Sequence, residues 1–332
     1  MPSGARLAAL TPLPLDSVPA ELAGGVVAVG NFDGMHRGHV ALLEATRAEA
    51  RRLGVPSLVL TFEPHPRTVF QPEAPVFRLT PLAAKARLLK ALAIDGLVVA
   101  GFDRAFAALT PEAFVETVLV GQLRLAAAVV GFNFRFGKGR SGTPALLAAV
   151  GERFGFPVTV VGEVATDAAA LVSSTAIREA LAAGEIARAN RLLGYRWFVV
   201  GVVVAGDRRG RTLGYPTANI VLEPDCRLRH GIYAVRVQRP EGAILDGVAS
   251  YGRRPTFGGE APLFEVFLLD FSGDLYGEEL AVTLLDWIRP QEKFASPEAL
   301  VAAMDGDVRA ARAILAVAGP GNPLDQAIAA TR

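Results

Sequence analysis

Gly30-Asn31-Phe32-Asp33-Gly34-Met35-His36-Arg37-Gly38-His39 follows the apolar run Val26-Val27-Ala28-Val29 and precedes an amphipathic stretch, Val40 to Arg52. An apolar run, a glycine-rich turn and an amphipathic segment read as strand, loop and helix. Glycine lets backbone approach a phosphate closely, and the free N–H groups of a helix start carry partial positive charge toward it. His36 and His39, three apart, would lie on one helix face and could donate to the same phosphate oxygens. Two other readings compete: a metal site, which lacks a third His, Cys or carboxylate at zinc-ligand spacing, and a plain strand-to-helix turn with surface histidines.

Working outward, Ser57 to Phe62 is β-prone and ends in Glu63-Pro64-His65-Pro66, which predicts a rigid extended turn at a strand end. Open α/β sheets bind ligands at such ends, so His65 either faces the site or is simply exposed. Thr80-Pro81 and Thr110-Pro111 predict the starts of helices reaching Leu92 and Val120, with a buried strand, Gly96 to Ala100, between them. Strands alternating with helices give parallel βαβ units. Ala126 to Val130 is the next strand and runs into Gly131-Phe132-Asn133-Phe134-Arg135-Phe136-Gly137-Lys138-Gly139-Arg140. Its alternating phenylalanines either bury one face of a strand or form a wall for a flat ring, with Asn133 as a hydrogen-bonding tip. Lys138 and Arg140 could meet phosphate oxygens, although the spacing is not that of a Walker loop.

After a last strand, Pro157 to Val164, Ser173-Ser174-Thr175-Ala176-Ile177-Arg178 opens a helical stretch reaching Leu193. Capping alone explains one hydroxyl; three hydroxyls plus an arginine one turn along make an anion site for a triphosphate tail. All five tyrosines and both tryptophans lie beyond residue 194, a composition step that places a domain boundary near 184–197. Beyond it, Phe198 to Val204, Ile232 to Val237, Leu245 to Ser250, Phe264 to Asp270 and Leu280 to Leu285 are short β-prone runs, which predicts a small antiparallel barrel followed by a helix from Ser296-Pro297 to about Val317. Between the first two lies Gly206-Asp207-Arg208-Arg209-Gly210-Arg211-Thr212-Leu213-Gly214-Tyr215-Pro216-Thr217-Ala218-Asn219. Its glycines and arginines suit a flap over a polyanion, and Thr217 and Asn219 present oxygens to one side of a strand, as Mg²⁺ prefers. Glu265 interrupts an otherwise apolar strand as either an edge residue facing water or a desolvated base.

Composition bounds the rest. A chain of 332 residues with 51% hydrophobic and 20% charged content supports two globular domains. Its 34 Lys+Arg against 33 Asp+Glu create no global field for nucleic acid or an anionic membrane, so small molecules are the expected partners. The single Cys226 fits a reducing cytoplasm. Met1 to Ala20 reads as neither signal peptide nor membrane anchor. A weak homo-oligomer is compatible with all of this.

The run from Gly30 to His39 resembles the nucleotidyltransferase signature in its longer form, G-N-F-D-G-x-H-x-G-H, that of the bacterial bifunctional riboflavin kinase/FMN adenylyltransferase family. Ser173 to Arg178 is similar to that superfamily's S-S-T-x-x-R, and residues 206–219 to the riboflavin kinase signature. The resemblance spans roughly residues 24–305. It implies a Rossmann-like nucleotidyltransferase domain with a parallel sheet (1–190), an antiparallel riboflavin kinase-like barrel with a terminal helix (191–320) and a tail (321–332). It further implies ATP as co-substrate, Mg²⁺, and riboflavin, FMN and FAD as substrates and products. In the adenylyltransferase, His36 and His39 would be catalytic, Gly30, Asn31, Phe32, Gly34, Ser173, Ser174, Thr175 and Arg178 would hold ATP phosphates, and His65, Asn133 and Phe134 would hold the flavin. In the kinase, Glu265 would be the general base, Arg208, Gly210, Arg211, Gly214 and Pro216 would hold nucleotide, and Thr217 and Asn219 the metal. Three positions depart from the family pattern: Ser250, where Asn is usual, Phe267, where His is usual, and Thr143, where an acidic residue is common. Degeneration of the barrel, leaving the adenylyltransferase alone, and a non-catalytic flavin-binding regulator are the rival expectations.

Overall fold

A computed structural model describes residues 10–163, 173–205, 214–253 and 262–331. These form two compact units, one from the described parts of Met1–Val76 and Lys85–Val172, the other from Phe77–Ala84 and those of Ser173–Ala330.

The first unit is a six-stranded sheet: β1 (Pro12–Pro14), β2 (Val26–Val29), β3 (Ser57–Glu63), β4 (Gly96–Gly101), β5 (Ala127–Gly131) and β6 (Val158–Val161). Strand order is β1-β4-β3-β2-β5-β6, and every pairing is parallel. A parallel sheet needs apolar residues on both faces, which is why β2 is wholly buried and reads as a continuous apolar run. The chain winds from β2 through β3 to β4 on one side, then returns to place β5 and β6 on the other. The switch therefore lies between β2 and β5, and the loops leaving both strands flank the crevice where such sheets take ligands.

Helix α1 (Arg37–Leu53) buries Leu42, Leu43, Thr46 and Ala50 and ends at Gly54, whose φ of 70° makes the left-handed cap. A short helix, α2 (Pro66–Phe70), follows β3, so Pro66 begins a helix instead of extending the turn predicted there. Next come α3 (Leu82–Ala91) and α4 (Pro111–Phe114), the latter capped by Thr110 and continued by a wider π turn over Val115–Gln122. Helix α5 (Pro144–Phe154) is capped by Thr143, whose hydroxyl accepts from the Leu146 N–H at 3.1 Å, so the threonine found in place of an acidic residue serves as a helix cap.

The second unit opens with α6 (Ser174–Ala183) and α7 (Ile186–Leu193). The single helical stretch predicted here breaks at Gly184, which adopts φ 76°. Helix α7 is tied to the barrel by Asn190, which donates to the Leu284 carbonyl at 3.3 Å and accepts from the Trp197 N–H at 2.8 Å. The barrel strands are β7 (Phe198–Val204), β8 (Thr217–Ile220), β9 (Gly231–Gln238), β10 (Ile244–Gly252), β11 (Leu263–Leu268) and β12 (Glu279–Arg289), closed in the order β10-β11-β8-β7-β12-β9. Helix α8 (Pro297–Ala318), capped by Ser296, lays Ala311 and Leu315 against Ala234, Leu269 and Leu285. The segment set apart as a tail contains helix α9 (Pro323–Ala329), where Asn322 donates to the Gly194 carbonyl at 2.8 Å.

Candidate functional site

The loop between β2 and α1 is wound tightly. Phe32, Gly34 and Met35 take φ values of 47°, 89° and 39°, and Phe32 and Met35 are buried beneath it. Two non-glycine residues in the left-handed region are held only where surroundings over-determine them. One anchor is Lys85, a buried lysine of α3 whose Nζ donates to the Asn31 carbonyl at 2.9 Å and to Thr61 Oγ1 at 2.8 Å. Thr61 itself donates to the same carbonyl at 3.2 Å.

His36 is the residue just before α1, and His39 lies in its first turn. Their rings stack at a centroid distance of 4.0 Å, with Phe32 at 5.4 Å from His39. Gly38 is what admits the His36 ring, since a Cβ there would stand 3.3 Å from its Nδ1. Burial pushes His36 down to about 4, against the pull of Asp33; burial, then the charges of His36 and Lys85, pushes His39 well below its ordinary value. Both imidazoles are therefore neutral at pH 7. Neither Nδ1 has a hydrogen-bond partner among the described residues. No group of three or more His, Cys, Asp or Glu among those residues is placed to hold a metal ion.

At the end of β3, His65 accepts from the Arg67 N–H at 3.2 Å through Nδ1 and so caps α2. Beyond β5 the three phenylalanines do not continue a strand. Phe132 and Asn133 are exposed, while Phe134 and Phe136 stack at 5.3 Å and pack on the sheet core. Asn133 thus stands at the switch point, beyond the C-terminal end of β5. Ser173 caps α6 by accepting from the Ala176 N–H at 3.2 Å, Thr175 is exposed, and Arg178 donates through Nε to the Phe77 carbonyl at 2.7 Å. Ser174 is the first residue of that helix, and Ser173, Ser174, Thr175 and Arg178 all belong to the second unit, Gly30 to His39 to the first.

The barrel holds a cavity of about 1120 Å³ lined by Thr217, Asn219, Ser250, Glu265, Phe267 and Arg289, among others. Register explains the grouping. Glu265 of β11 lies opposite Asn219 of β8 on one side and Ser250 of β10 on the other. Because β11 is paired along both sides, Glu265 is not an edge residue; it stands half-buried on the cavity wall. Asn219 is buried, and its Oδ1 has no partner among the described residues. Gly214 and Pro216 are exposed at the entry to β8, whereas Arg208, Gly210 and Arg211 lie outside the described residues.

Two family models match, one for FAD synthetase over residues 18–176 and one for riboflavin kinase over residues 193–315. The Escherichia coli K12 bifunctional riboflavin kinase/FMN adenylyltransferase is 41% identical over 92% of this chain and 97% of its own. The chain belongs to the bifunctional riboflavin kinase/FMN adenylyltransferase family. The Bacillus subtilis member is 34% identical over 87% of this chain and 92% of its own. A solved Streptococcus pneumoniae structure, described as a macrolide-efflux protein, superposes with a TM-score of 0.77 at 33% identity, covering 91% of this chain and 98% of that one. The efflux description belongs to that protein; among the residues described here, no helix is long and apolar enough to cross a membrane.

Against the family pattern, both barrel departures line the cavity. Ser250 accepts from Gln291 Nε2 at 3.0 Å, and Gln291 seats over Gly252, where a Cβ would stand 1.9 Å from its Oε1. Phe267 packs its ring 4.9 Å from Tyr215, whose hydroxyl donates to Asp305 of α8 and is thereby pushed up to about 12. Sequence reasoning missed Lys85, Gln291 and the bidentate pair of Arg289 with buried Asp307, at 2.7 and 2.8 Å. A lysine inside an otherwise amphipathic helix pattern gives little warning, and the Arg289–Asp307 pair joins residues from β12 and α8 that no local motif links.

Proposed function

We propose that the chain makes FAD from riboflavin in two ATP-dependent steps, one in each of its matched regions. The kinase half rests on the polar row Asn219, Glu265 and Ser250, set side by side on the wall of a ligand-sized cavity. The adenylyltransferase half rests on the neutral, stacked His36–His39 pair at a strand-to-helix phosphate loop. The functional boundary is placed at 190/191, with 321–332 as a tail; the two family-model matches support it, although α6 and α7 pack with the barrel.

In the barrel, Glu265 takes the proton from the riboflavin 5′-hydroxyl as that oxygen attacks the γ-phosphorus of ATP and the bond to ADP breaks, leaving FMN. Gly214 and Pro216, with Arg208, Gly210 and Arg211, are assigned to the nucleotide. The donor set suits Mg²⁺: Asn219 offers a buried oxygen with no partner among the described residues and Thr217 a hydroxyl, hard oxygen donors of the kind this ion takes alongside phosphate and water. When bound, Mg²⁺ neutralises phosphate charge.

In the sheet unit, a phosphate oxygen of FMN attacks the α-phosphorus of ATP and pyrophosphate leaves. His36 and His39 donate N–H groups to the α-phosphate and the leaving oxygen, and the approach of a polyanion favours their uptake of a proton. Gly30, Asn31, Phe32 and Gly34 offer loop backbone to the phosphates; Ser173, Ser174, Thr175 and Arg178 are assigned to the β- and γ-phosphates, and His65, Asn133 and Phe134 to the flavin. Mere binding would need neither a carboxylate in the barrel cavity nor two imidazoles at a phosphate loop. A cytoplasmic setting accords with the single cysteine.

Chromatography of flavins after incubating the protein with riboflavin, ATP and Mg²⁺, beside a tube in which FMN replaces riboflavin, tests the reading. FAD from both tubes is expected. FAD from FMN alone would leave only the adenylyltransferase, and no product in either tube would overturn both halves.

A further inference from the structure

The residue beneath the phosphate loop has no part in the reaction as written, yet it is placed to control it. Lys85 is 3% exposed, and an ammonium so buried is retained only where partners compensate its lost hydration. Its partners are specific: the Asn31 carbonyl, Thr61 Oγ1, and the Glu63 carboxylate at 4.0 Å. Asn31 immediately precedes Phe32, the first residue of the loop in the left-handed region. Gripping that carbonyl from below fixes the peptide plane from which the loop departs toward His36. Lys85 is thus bound through hydrogen bonds to the loop on one side and to β3 on the other.

We propose that Lys85 is a positioning residue for adenylyl transfer, clamping the Asn31 carbonyl so that the loop and the imidazole pair keep the geometry that receives the triphosphate, and holding a positive charge beside His39. The proposal rests on the adenylyltransferase reading above. Besides the two rings, which face each other, three charged groups stand around them: Asp33 in the loop beside His36, Lys85 from α3, and Glu63 of β3 behind Lys85. Removing the Lys85 charge therefore makes His39 easier to protonate, while replacing lysine by arginine keeps the charge and alters the fit.

The test uses the full chain with Lys85→Met, Lys85→Arg and Thr61→Val, and reads FAD formation from FMN, FMN formation from riboflavin, and ring NMR titrations of the four histidines. In Lys85→Met, kcat for FAD formation should fall about a hundredfold, the scale of an ångström's misplacement, with KM for FMN within about twofold. FMN formation should be unchanged, and the His39 resonance should titrate at higher pH. Lys85→Arg should leave that titration low and recover part of kcat; Thr61→Val should lower kcat without moving the titration. Wild-type kcat and an unmoved His39 titration in a folded Lys85→Met protein would overturn the clamp. Should that variant not fold, undiminished kcat in Thr61→Val does so instead. A wild-type protein that makes no FAD would refute the adenylyltransferase reading, and the His39 titration would still decide the role of Lys85.

Discussion

Acid should weaken the sheet unit through His36, and removing that imidazole should reduce the effect. The folded value of about 4 lies below the ordinary 6.5 because burial disfavours the charged ring. The unfolded chain thus takes up this proton first as pH falls. The stabilising contribution is full above about 6.5, declines between 6.5 and 4, and changes no further once the folded ring also protonates. At 1.36 kcal/mol per unit, the span corresponds to about 3 kcal/mol, an upper figure because the ring keeps some solvent contact. His39, displaced in the same direction, adds to it. His36→Gln preserves a planar polar side chain and removes the titration. Both tryptophans, Trp197 and Trp287, lie in the barrel unit, so fluorescence reports the wrong half, and a chain of two units need not unfold in one step. Amide hydrogen exchange at Val26–Val29, measured from pH 7 to pH 4, reads the sheet directly. Protection in the wild type should fall more steeply than in His36→Gln once intrinsic exchange is corrected for. Equal slopes, or a His36 ring that titrates near 6.5 by NMR, would refute the reasoning.

Other perturbations separate the two halves. Glu265→Gln should lower FMN formation by about 10²–10⁴-fold, the usual worth of a general base, and leave FAD formation from FMN intact, which parallel assays on one preparation will show. Asn219→Leu fills a buried position with a side chain that offers no oxygen, so the Mg²⁺ concentration needed for half-maximal kinase activity should rise at least tenfold; an unchanged requirement would remove Asn219 from the metal. Asp307→Ala leaves Arg289 charged and without its bidentate partner at the cavity wall, and barrel stability measured by tryptophan fluorescence in urea should fall by about 3 kcal/mol. In Gly38→Ala the new methyl presses on the His36 ring at 3.3 Å, so FAD formation should drop while FMN formation holds.

Much of this protein is written locally. Buried parallel strands need uninterrupted apolar runs, helix starts need small hydroxyl caps, and phosphate loops need glycine at close approaches. For those reasons Val26–Val29, Thr110, Ser173, Ser296 and the run from Gly30 to His39 could be read with their elements attached, and the confinement of tyrosine and tryptophan to positions beyond 194 announced a second kind of fold. What sequence alone left open was whatever depends on partners distant in the chain. Whether Glu265 faces water or a cavity turns on barrel closure, which pairs β11 along both sides and sets the carboxylate between Asn219 and Ser250. Whether Phe132, Phe134 and Phe136 share a strand face turns on where β5 ends, and it ends at Gly131, so two of them fold back onto the core. The neutrality of His36 and His39 comes from burial and, for His39, from the charges placed beside it, which spacing does not specify. Lys85 is the sharpest case: its sequence context is an ordinary helix, and only the approach of α3 to β3 and the loop beside it turns that lysine into a buried charge beneath the phosphate site.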